Sequence, residues 1–234
     1  MIKMILFDLD GTLLPMDQDR FIQAYLEKMA RKLAPSGYDP ELLVKAIWKG
    51  TGAMVMNDGS ATNEDVFWKV FSGILGRDAK ADEPLFLEYY ENEFQTVKES
   101  CGFHSQASET VQQIKQLGYP VALATNPLFP AIATLSRTRW AGLDPRDFTL
   151  ITTYENSRHC KPNLDYYRDI LDILKLDPEE CVMVGNDVGE DMIARKLGMK
   201  VFLLTDCLIN KENTDISQFP HGSFTELMTF VREL

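Results

Sequence analysis

Asp8 and Asp10 stand two positions apart in the segment Asp-Leu-Asp-Gly-Thr, directly after a short apolar run. An extended backbone would direct both carboxylates to one side of the chain, and Gly11 then permits a tight turn. Two close carboxylates repel each other unless a cation neutralises one or a proton is retained, and either arrangement serves catalysis. A polar turn that caps the next element is the alternative interpretation, because Asp-x-Asp-Gly also occurs in calcium-binding loops.

Three later turns carry polar residues that suit the same chemistry. Thr125 and Asn126 follow an apolar run and offer a hydroxyl group and fresh backbone N–H groups to phosphate oxygens. Lys161 could neutralise a phosphoryl group, while Asp187 and Asp191 offer the hard oxygen ligands that Mg²⁺ prefers. Each turn also has an ordinary structural interpretation: a helix N-cap for the Thr125 turn, a solvated surface charge for Lys161, and a favourable helix-dipole contact for Asp191.

The composition of the 234-residue chain indicates a globular protein that folds unaided. Hydrophobic residues make up 45% and charged residues 25%, which is close to ordinary globular usage. The formal net charge of -11 argues against nucleic acid and anionic membranes as partners, because both are bound by clustered Lys and Arg. The four cysteines form no CxxC pair, the N-terminal apolar run is too short for a signal peptide, and no stretch approaches the roughly 20 apolar residues that span a bilayer. We therefore expect a cytoplasmic protein with reduced thiols.

The elements that must bring the polar turns together are predicted by alternating strand and helix signals. Apolar runs that end at Asp8, Thr125, Gly185 and Thr205 are typical of strands buried on both faces. Helical periodicity fills stretches between them, so the pattern predicts an α/β fold, a Rossmann-like parallel sheet with helices on both faces. Ligands bind such a sheet beyond the carboxyl ends of its strands, where the polar turns lie.

A helical insertion interrupts this alternation. From residue 15 to residue 104 the strand signals disappear, and helical spacing takes over. We therefore predict that residues 1–14 and 105–234 form an α/β core domain and that residues 15–104 form a helical cap domain. Glycine-containing stretches, among them residues 50–52 and 58–60, are expected to be turns of the cap.

The four polar turns together resemble the four motifs of the haloacid dehalogenase superfamily, and they occur in that family's order. The matching residues are Asp8, Asp10, Thr125, Lys161, Asp187 and Asp191. Residues 15–104 are similar to the helical, C1-type cap that is inserted after the first motif in this family. Leu164 and Asn186 depart from common family residues, but neither change removes a reacting group. Family dehalogenases lack the acid at the position of Asp10, and phosphonate-cleaving members have a small residue there, so the resemblance favours phosphoryl chemistry.

The resemblance implies a mechanism for hydrolysis of a phosphomonoester. Asp8 would attack phosphorus and form an aspartyl-phosphate, which divides one difficult displacement into two easier ones. Asp10 would protonate the departing alkoxide and would later take a proton from the water that hydrolyses the intermediate. The catalytic residues are therefore expected to be Asp8, Asp10 and Lys161.

The resemblance also implies a Mg²⁺ site and a phosphate site. The metal residues would be Asp8, Asp10 through its main-chain carbonyl, Asp187 and Asp191, with orientation of Lys161 or of metal-bound water as the alternative role of Asp191. The phosphate residues would be Thr125, Asn126 and Lys161, whose ammonium would offset the charge of the phosphoryl oxygens.

The expected substrate is a small phosphorylated metabolite, because a cap that closes over the site would exclude macromolecules. Residues 50–52 and 54–58 are the cap segment that we expect to influence specificity. Two alternatives stay open: a sugar phosphomutase of the same superfamily, and a non-catalytic binding protein with this fold. The presence of all the reacting residues favours an enzyme over a binding protein. The sequence identifies no protein partner.

Overall fold

The protein, described over residues 1–234 by a computed structural model, is built around one six-stranded sheet. The strands are β1 (Met4–Phe7), β2 (Val121–Leu123), β3 (Phe148–Ile151), β4 (Cys181–Gly185), β5 (Lys200–Leu204) and β6 (His221–Gly222). Their order in the sheet is β3-β2-β1-β4-β5-β6, and every neighbouring pair is parallel. The predicted α/β fold with a parallel sheet is therefore confirmed.

Eight α-helices accompany the sheet. They are α1 (Gln18–Leu33), α2 (Pro40–Val55), α3 (Asn63–Leu75), α4 (Glu83–Glu91), α5 (Ser105–Gln116), α6 (Ala131–Trp140), α7 (Leu164–Leu174) and α8 (Phe224–Arg232). The helical structure is completed by five short 3₁₀ segments of three residues each and by two longer ones, Glu93–Ser100 and Met192–Leu197. None of the helices combines the length and the apolar character that crossing a bilayer requires.

The side chains of β1 alternate between the two faces of the sheet. Ile5 and Phe7 pack into a core shared with α5 and α8, whereas Met4 and Leu6 pack into a second core shared with α7. None of the four is more than 5% exposed. This burial on both faces explains why the strand is an uninterrupted apolar run, and it fixes β1 in the middle of the sheet.

Helices α1–α4 and the segment Glu93–Ser100 form the insertion between β1 and α5. Several of its aromatic side chains, among them Phe71, Tyr89 and Phe94, are fully buried. They belong to the same continuous core as Ile5 and Phe7 of the sheet. The insertion is therefore helical, as expected, while its boundaries as a separate cap domain stay a prediction.

The expectation of a turn at residues 50–52 is wrong, because these residues lie inside α2. The reason is the close packing of α2 against α3. A Cβ atom at Gly50 would lie 2.6 Å from Cδ2 of Phe67, so only glycine fits this contact without a shift. Glycine thus serves helix packing at residue 50, whereas residues 58–60 connect α2 and α3 as expected.

Candidate active site

The carboxyl ends of β1, β2 and β4 lie side by side at one edge of the sheet. Phe7 pairs with Leu123 on one side and with Val184 on the other, so Asp8 emerges between the turns that follow β2 and β4. Ligands of parallel sheets bind outside the carboxyl ends of the strands, at the point where the strand order reverses. Here β2 lies on one side of β1 and β4 lies on the other. A cavity of about 160 Å³ opens there, and the predicted residues that line it are Asp8, Asp10, Thr125, Asn126, Asp187 and Asp191. We call it the acidic cavity.

Lys161 joins two of the predicted carboxylates. Its ammonium donates to Asp8 Oδ1 at 2.9 Å and to Asp191 Oδ1 at 2.6 Å. Burial by itself would lower the pKa of Lys161, but the two carboxylates outweigh this effect and raise the pKa well above its ordinary value. The side chain is therefore a buried cation, and its interpretation as a solvated surface charge is wrong.

Both carboxylate oxygens of Asp191 already accept hydrogen bonds from the protein. Oδ1 accepts from Lys161, and Oδ2 accepts from the backbone N–H of Asp187 at 3.0 Å. Burial raises the pKa of Asp191, and Lys161 opposes that rise. Gly185 makes room for this arrangement, because a Cβ atom there would lie 2.1 Å from Asp191 Oδ2. These contacts favour positioning of Lys161, rather than metal binding, as the role of Asp191.

Thr12 and Asn186 complete the surroundings of Asp8. Thr12 Oγ1 lies 3.0 Å from Asp8 Oδ2 and 2.8 Å from Asn186 Oδ1, and its single proton can serve one acceptor at a time. The Asn186 amide in turn donates to the carbonyl of Cys207 at 2.7 Å. Neither Thr12 nor Asn186 is among the predicted site residues, although both belong to the polar turns. Asp8 is thus in contact at both oxygens, with Lys161 and with Thr12.

A buried arginine that the sequence does not single out pairs with Asp10. Arg137 is fully buried, and its guanidinium forms an ion pair with Asp10 Oδ2. The guanidinium carbon lies 4.3 Å from the centre of the Phe129 ring and 5.8 Å from that of Phe21. Burial raises the pKa of Asp10, and Arg137 opposes that rise. The neighbouring Arg139 on α6 is exposed, and only tertiary packing distinguishes the two arginines.

One oxygen of Asp10 has no partner in the protein. Oδ2 is held by Arg137, whereas Oδ1 is buried and has no hydrogen-bond partner in the protein. A buried polar atom without a partner is costly, and such an atom in a native protein needs an explanation, of which a catalytic role is one. Asp10 Oδ1 is therefore the oxygen to consider when a role for Asp10 is proposed.

The turn after β2 places Asn126 beside Glu190. Asn126 Nδ2 donates to Glu190 Oε2 at 3.0 Å, while Asn126 Oδ1 is buried without a partner. Thr125 is 2% exposed, and its carbonyl accepts from the Tyr166 hydroxyl at 2.8 Å. Because Pro130 is the N-cap of α6, the N-cap interpretation of the Thr125 turn is wrong. Glu190 also lines the acidic cavity, and its burial raises its pKa.

The acidic cavity contains a set of oxygens that fits Mg²⁺. Asp187 Oδ1 accepts from the backbone N–H groups of Gly189 at 2.7 Å and Glu190 at 3.0 Å, which orients the carboxylate. No three His, Cys, Asp or Glu side chains form a metal cluster by themselves. Mg²⁺ commonly takes only one or two carboxylates and completes its octahedron with water and substrate oxygens. Asp8, Asp187 and the Asp10 carbonyl are therefore a sufficient set, and their role as ligands stays a prediction.

Known proteins resemble this chain over most of its length. A family model described as a haloacid dehalogenase-like hydrolase matches residues 2–198. The pyrophosphatase PpaX of Bacillus cereus is 25% identical over 199 residues, which are 85% of this chain and 81% of that protein. The structure of 2-haloacid dehalogenase from Pseudomonas syringae pv. Tomato has a TM-score of 0.64 at 18% identity, covering 100% of this chain and 99% of the other. The magnesium-bound HAD hydrolase YfnB of Bacillus subtilis has a TM-score of 0.55 at 17% identity, covering 98% of each chain. At such identities the two structures support the fold.

Proposed function

Because the chain belongs to the haloacid dehalogenase-like hydrolase family, we propose that it hydrolyses a small phosphomonoester with Asp8 as the nucleophile. The observation that carries the proposal is the buried Lys161 ammonium, which is held between Asp8 and Asp191, two residues that line the acidic cavity. A fixed cation beside an anionic nucleophile offsets the repulsion that an approaching phosphate would meet.

Asp8 suits the nucleophilic role because its carboxylate is held without being blocked. Lys161 contacts Oδ1, and the Thr12 hydroxyl contacts Oδ2, so the side chain is confined to one orientation. One of these oxygens would attack phosphorus as the ester P–O bond breaks, and the phosphoryl group would pass to Asp8. Holding the attacking atom in place lowers the entropic cost of reaching the transition state.

Asp10 suits the role of general acid and base. Burial raises its pKa, which favours the protonated form that a departing alkoxide needs. Arg137 fixes one oxygen, and the unpartnered Oδ1 would give its proton to the alkoxide. In the second step the same oxygen would take a proton from the water that attacks the aspartyl-phosphate, which releases phosphate and regenerates Asp8.

The charge of the cavity supports a requirement for Mg²⁺. Its wall includes the carboxylates of Asp8, Asp10, Asp187, Glu190 and Asp191. Only two buried cations of the protein, Lys161 and Arg137, form ion pairs with these acids. The carboxylates of Asp8 and Asp187 and the main-chain carbonyl of Asp10 would hold the metal ion. When bound, Mg²⁺ would neutralise charge between the nucleophile and the phosphate.

The same residues would serve a phosphomutase, which returns the phosphoryl group to a second hydroxyl instead of to water. The name of the relative PpaX adds pyrophosphate as a compound to be tested. We therefore propose a screen of phosphorylated metabolites and pyrophosphate in the presence of Mg²⁺, with released phosphate as the readout. Free phosphate supports a phosphohydrolase, whereas an isomerised sugar phosphate without phosphate release would identify a mutase.

The nucleophile is tested by Asp8→Asn, with Asp39→Asn as the matched control. Asp39 caps α2 by accepting from the Leu42 N–H at 2.8 Å, and asparagine caps a helix equally well. We expect Asp8→Asn to lose at least about 10³-fold in kcat, as is typical when a nucleophile is removed, and the control to keep full activity. The wild-type enzyme, quenched with acid during turnover of a ³²P-labelled substrate, should carry label on Asp8. Appreciable turnover by Asp8→Asn would refute the assignment.

A further inference from the structure

A second cavity lies between the helical insertion and the core. Its volume is about 150 Å³, and 14 of the 17 residues that line it are hydrophobic. Helices α1 to α4 supply most of its wall, and the core supplies Leu128, Phe129, Pro130 and Tyr154. We call it the apolar cavity. An apolar cavity of about this volume holds a molecule the size of benzene.

The apolar cavity borders the acidic cavity. Ile22, Leu128 and Phe129 line both of them. Phe129 also lies 4.3 Å from the guanidinium of Arg137, which pairs with Asp10. The junction between the cavities is therefore next to the carboxyl that protonates the leaving group in the proposed mechanism. A substrate whose phosphoryl group occupies the acidic cavity would direct its leaving group into the apolar one.

The lining of the apolar cavity restricts what can occupy it. None of the 17 residues is Lys, Arg or His, so a second phosphate or a carboxylate would be buried without a cation. The hydroxyl groups of Tyr25 and Tyr90 bond to each other at 2.8 Å and are thus already satisfied. Burial raises the pKa of Tyr25 to about 12, so this hydroxyl is neutral. Glu83 is the only charged residue of the wall.

We propose that the apolar cavity binds the leaving group of the substrate, and that this group is a neutral aromatic or branched alkyl alcohol about the size of a benzene ring. The inference rests on the proposed function and specifies its substrate class. The P–O bond of the ester would break, the phosphoryl group would pass to Asp8, and the alcohol would leave with a proton from Asp10. Transfer of the apolar group from water into the cavity would supply the binding energy.

The test compares three esters of primary alcohols and pyrophosphate: benzyl phosphate, methyl phosphate, phosphocholine and pyrophosphate, each with Mg²⁺. We expect kcat/KM for benzyl phosphate to exceed that for methyl phosphate at least about 100-fold, because a single methylene in an apolar pocket already changes it roughly 10- to 200-fold. Values within about threefold of each other would overturn the inference. A preference for phosphocholine, through Glu83 and the aromatic rings, or for pyrophosphate would overturn it as well.

A pair of tryptophan variants on α1 tests the location. Leu26 lines the apolar cavity but not the acidic one, and Gln23 is exposed on the same helix. We expect Leu26→Trp to reduce the ratio of kcat/KM for benzyl over methyl phosphate at least about tenfold, because the indole fills the space that the ring needs. Gln23→Trp should keep the wild-type ratio. An unchanged ratio in a folded Leu26→Trp protein would contradict the location.

Binding to Asp8→Asn separates this inference from the proposed function. Calorimetry with Mg²⁺ should show benzyl phosphate binding at least about tenfold more tightly than methyl phosphate, independently of turnover. If no ester were hydrolysed and this preference persisted, the proposed function would fail while the binding site stood. If methyl phosphate were hydrolysed by Asp8 chemistry without any preference for the benzyl ester in rate or affinity, only the binding site would fail.

Discussion

Replacement of Lys161 by methionine tests the central ion pairs of the site. The ammonium lies 2.9 Å from Asp8 Oδ1 and 2.6 Å from Asp191 Oδ1, and the side chains of Lys161 and Asp191 are each 1% exposed. Methionine has a similar length and no charge, so Lys161→Met leaves two carboxylates facing each other without their cation. At 1% exposure, Asp191 is too deeply buried for water to replace the ammonium.

The expected loss of stability follows from this burial. Removing one partner of a buried ion pair costs about 3–5 kcal/mol, because the remaining charge is left uncompensated. For a protein of this size each kcal/mol shifts Tm by roughly 2–4 °C, so we expect a decrease of about 6–20 °C. The double variant Lys161→Met/Asp191→Asn removes the more deeply buried of the two charges and should recover about half of that loss.

Activity should respond differently from stability. Loss of a fixed positive group at the transition state costs about 10²–10³-fold in kcat, and asparagine at residue 191 cannot replace it. Thermal unfolding followed by circular dichroism and phosphate release below Tm measure the two effects separately. A Tm within about 2 °C of the wild type in Lys161→Met would refute the buried ion pair. Recovery of kcat in the double variant would show that Lys161 acts only on stability.

Three further outcomes test the surroundings of Asp8. Treatment with EDTA should abolish phosphate release, and added Mg²⁺ should restore it; full activity after exhaustive chelation would exclude the proposed metal requirement. Gly185→Ala should reduce kcat about 10²-fold and destabilise the fold by about 1–3 kcal/mol, because the new Cβ would lie 2.1 Å from Asp191 Oδ2; unchanged kinetics and Tm would contradict this packing. Arg137→Met should reduce kcat about 10²-fold with little change in KM, and Arg137→Lys should recover part of the loss because it keeps a cation beside Asp10; equal losses in both variants would show that the charge is not what matters.

The sheet was largely predictable because its strands are buried on both faces. The apolar runs before Asp8, Thr125, Gly185 and Thr205 correspond to β1, β2, β4 and β5. The edge strands β3 and β6 gave no comparable run. Thr149 of β3 is exposed, and β6 has only two residues, so neither shows the continuous hydrophobicity of a central strand.

The helical insertion shows a different limit of sequence patterns. Glycine is read as a turn signal, because its backbone is unusually free and it is a poor helix former. In α2 the absence of a side chain matters instead, since Phe67 of α3 occupies the place of a Cβ at Gly50. A glycine in a turn and a glycine at a helix–helix contact look the same in the sequence. Only the position of the neighbouring helix distinguishes them.

The site residues that follow the ends of strands were predictable from the sequence. A site residue that is placed by tertiary packing was not. The turns at Asp8, Thr125 and Asp187 follow from the topology, which brings the ends of adjacent parallel strands together. Arg137 lies on a helix, and it reaches Asp10 only because Phe21 and Phe129 form the apolar surface beneath its guanidinium. One of these rings belongs to the helical insertion and the other to the core. No local sequence pattern could therefore predict that they come together.

Through the buried Asn63 at the start of α3, the insertion is also hydrogen-bonded directly to the two turns that we propose bind phosphate. Its amide donates to the Pro127 carbonyl at 3.3 Å and to Cys160 Sγ at 3.3 Å, and its backbone N–H donates to the Ser157 carbonyl at 2.8 Å. Pro127 follows the turn that contains Thr125 and Asn126, and Cys160 precedes Lys161. A displacement of α3 would therefore break hydrogen bonds to both turns at once. Because α3 also contributes to the wall of the apolar cavity, a leaving group bound there and the turn that carries Lys161 would contact the same helix.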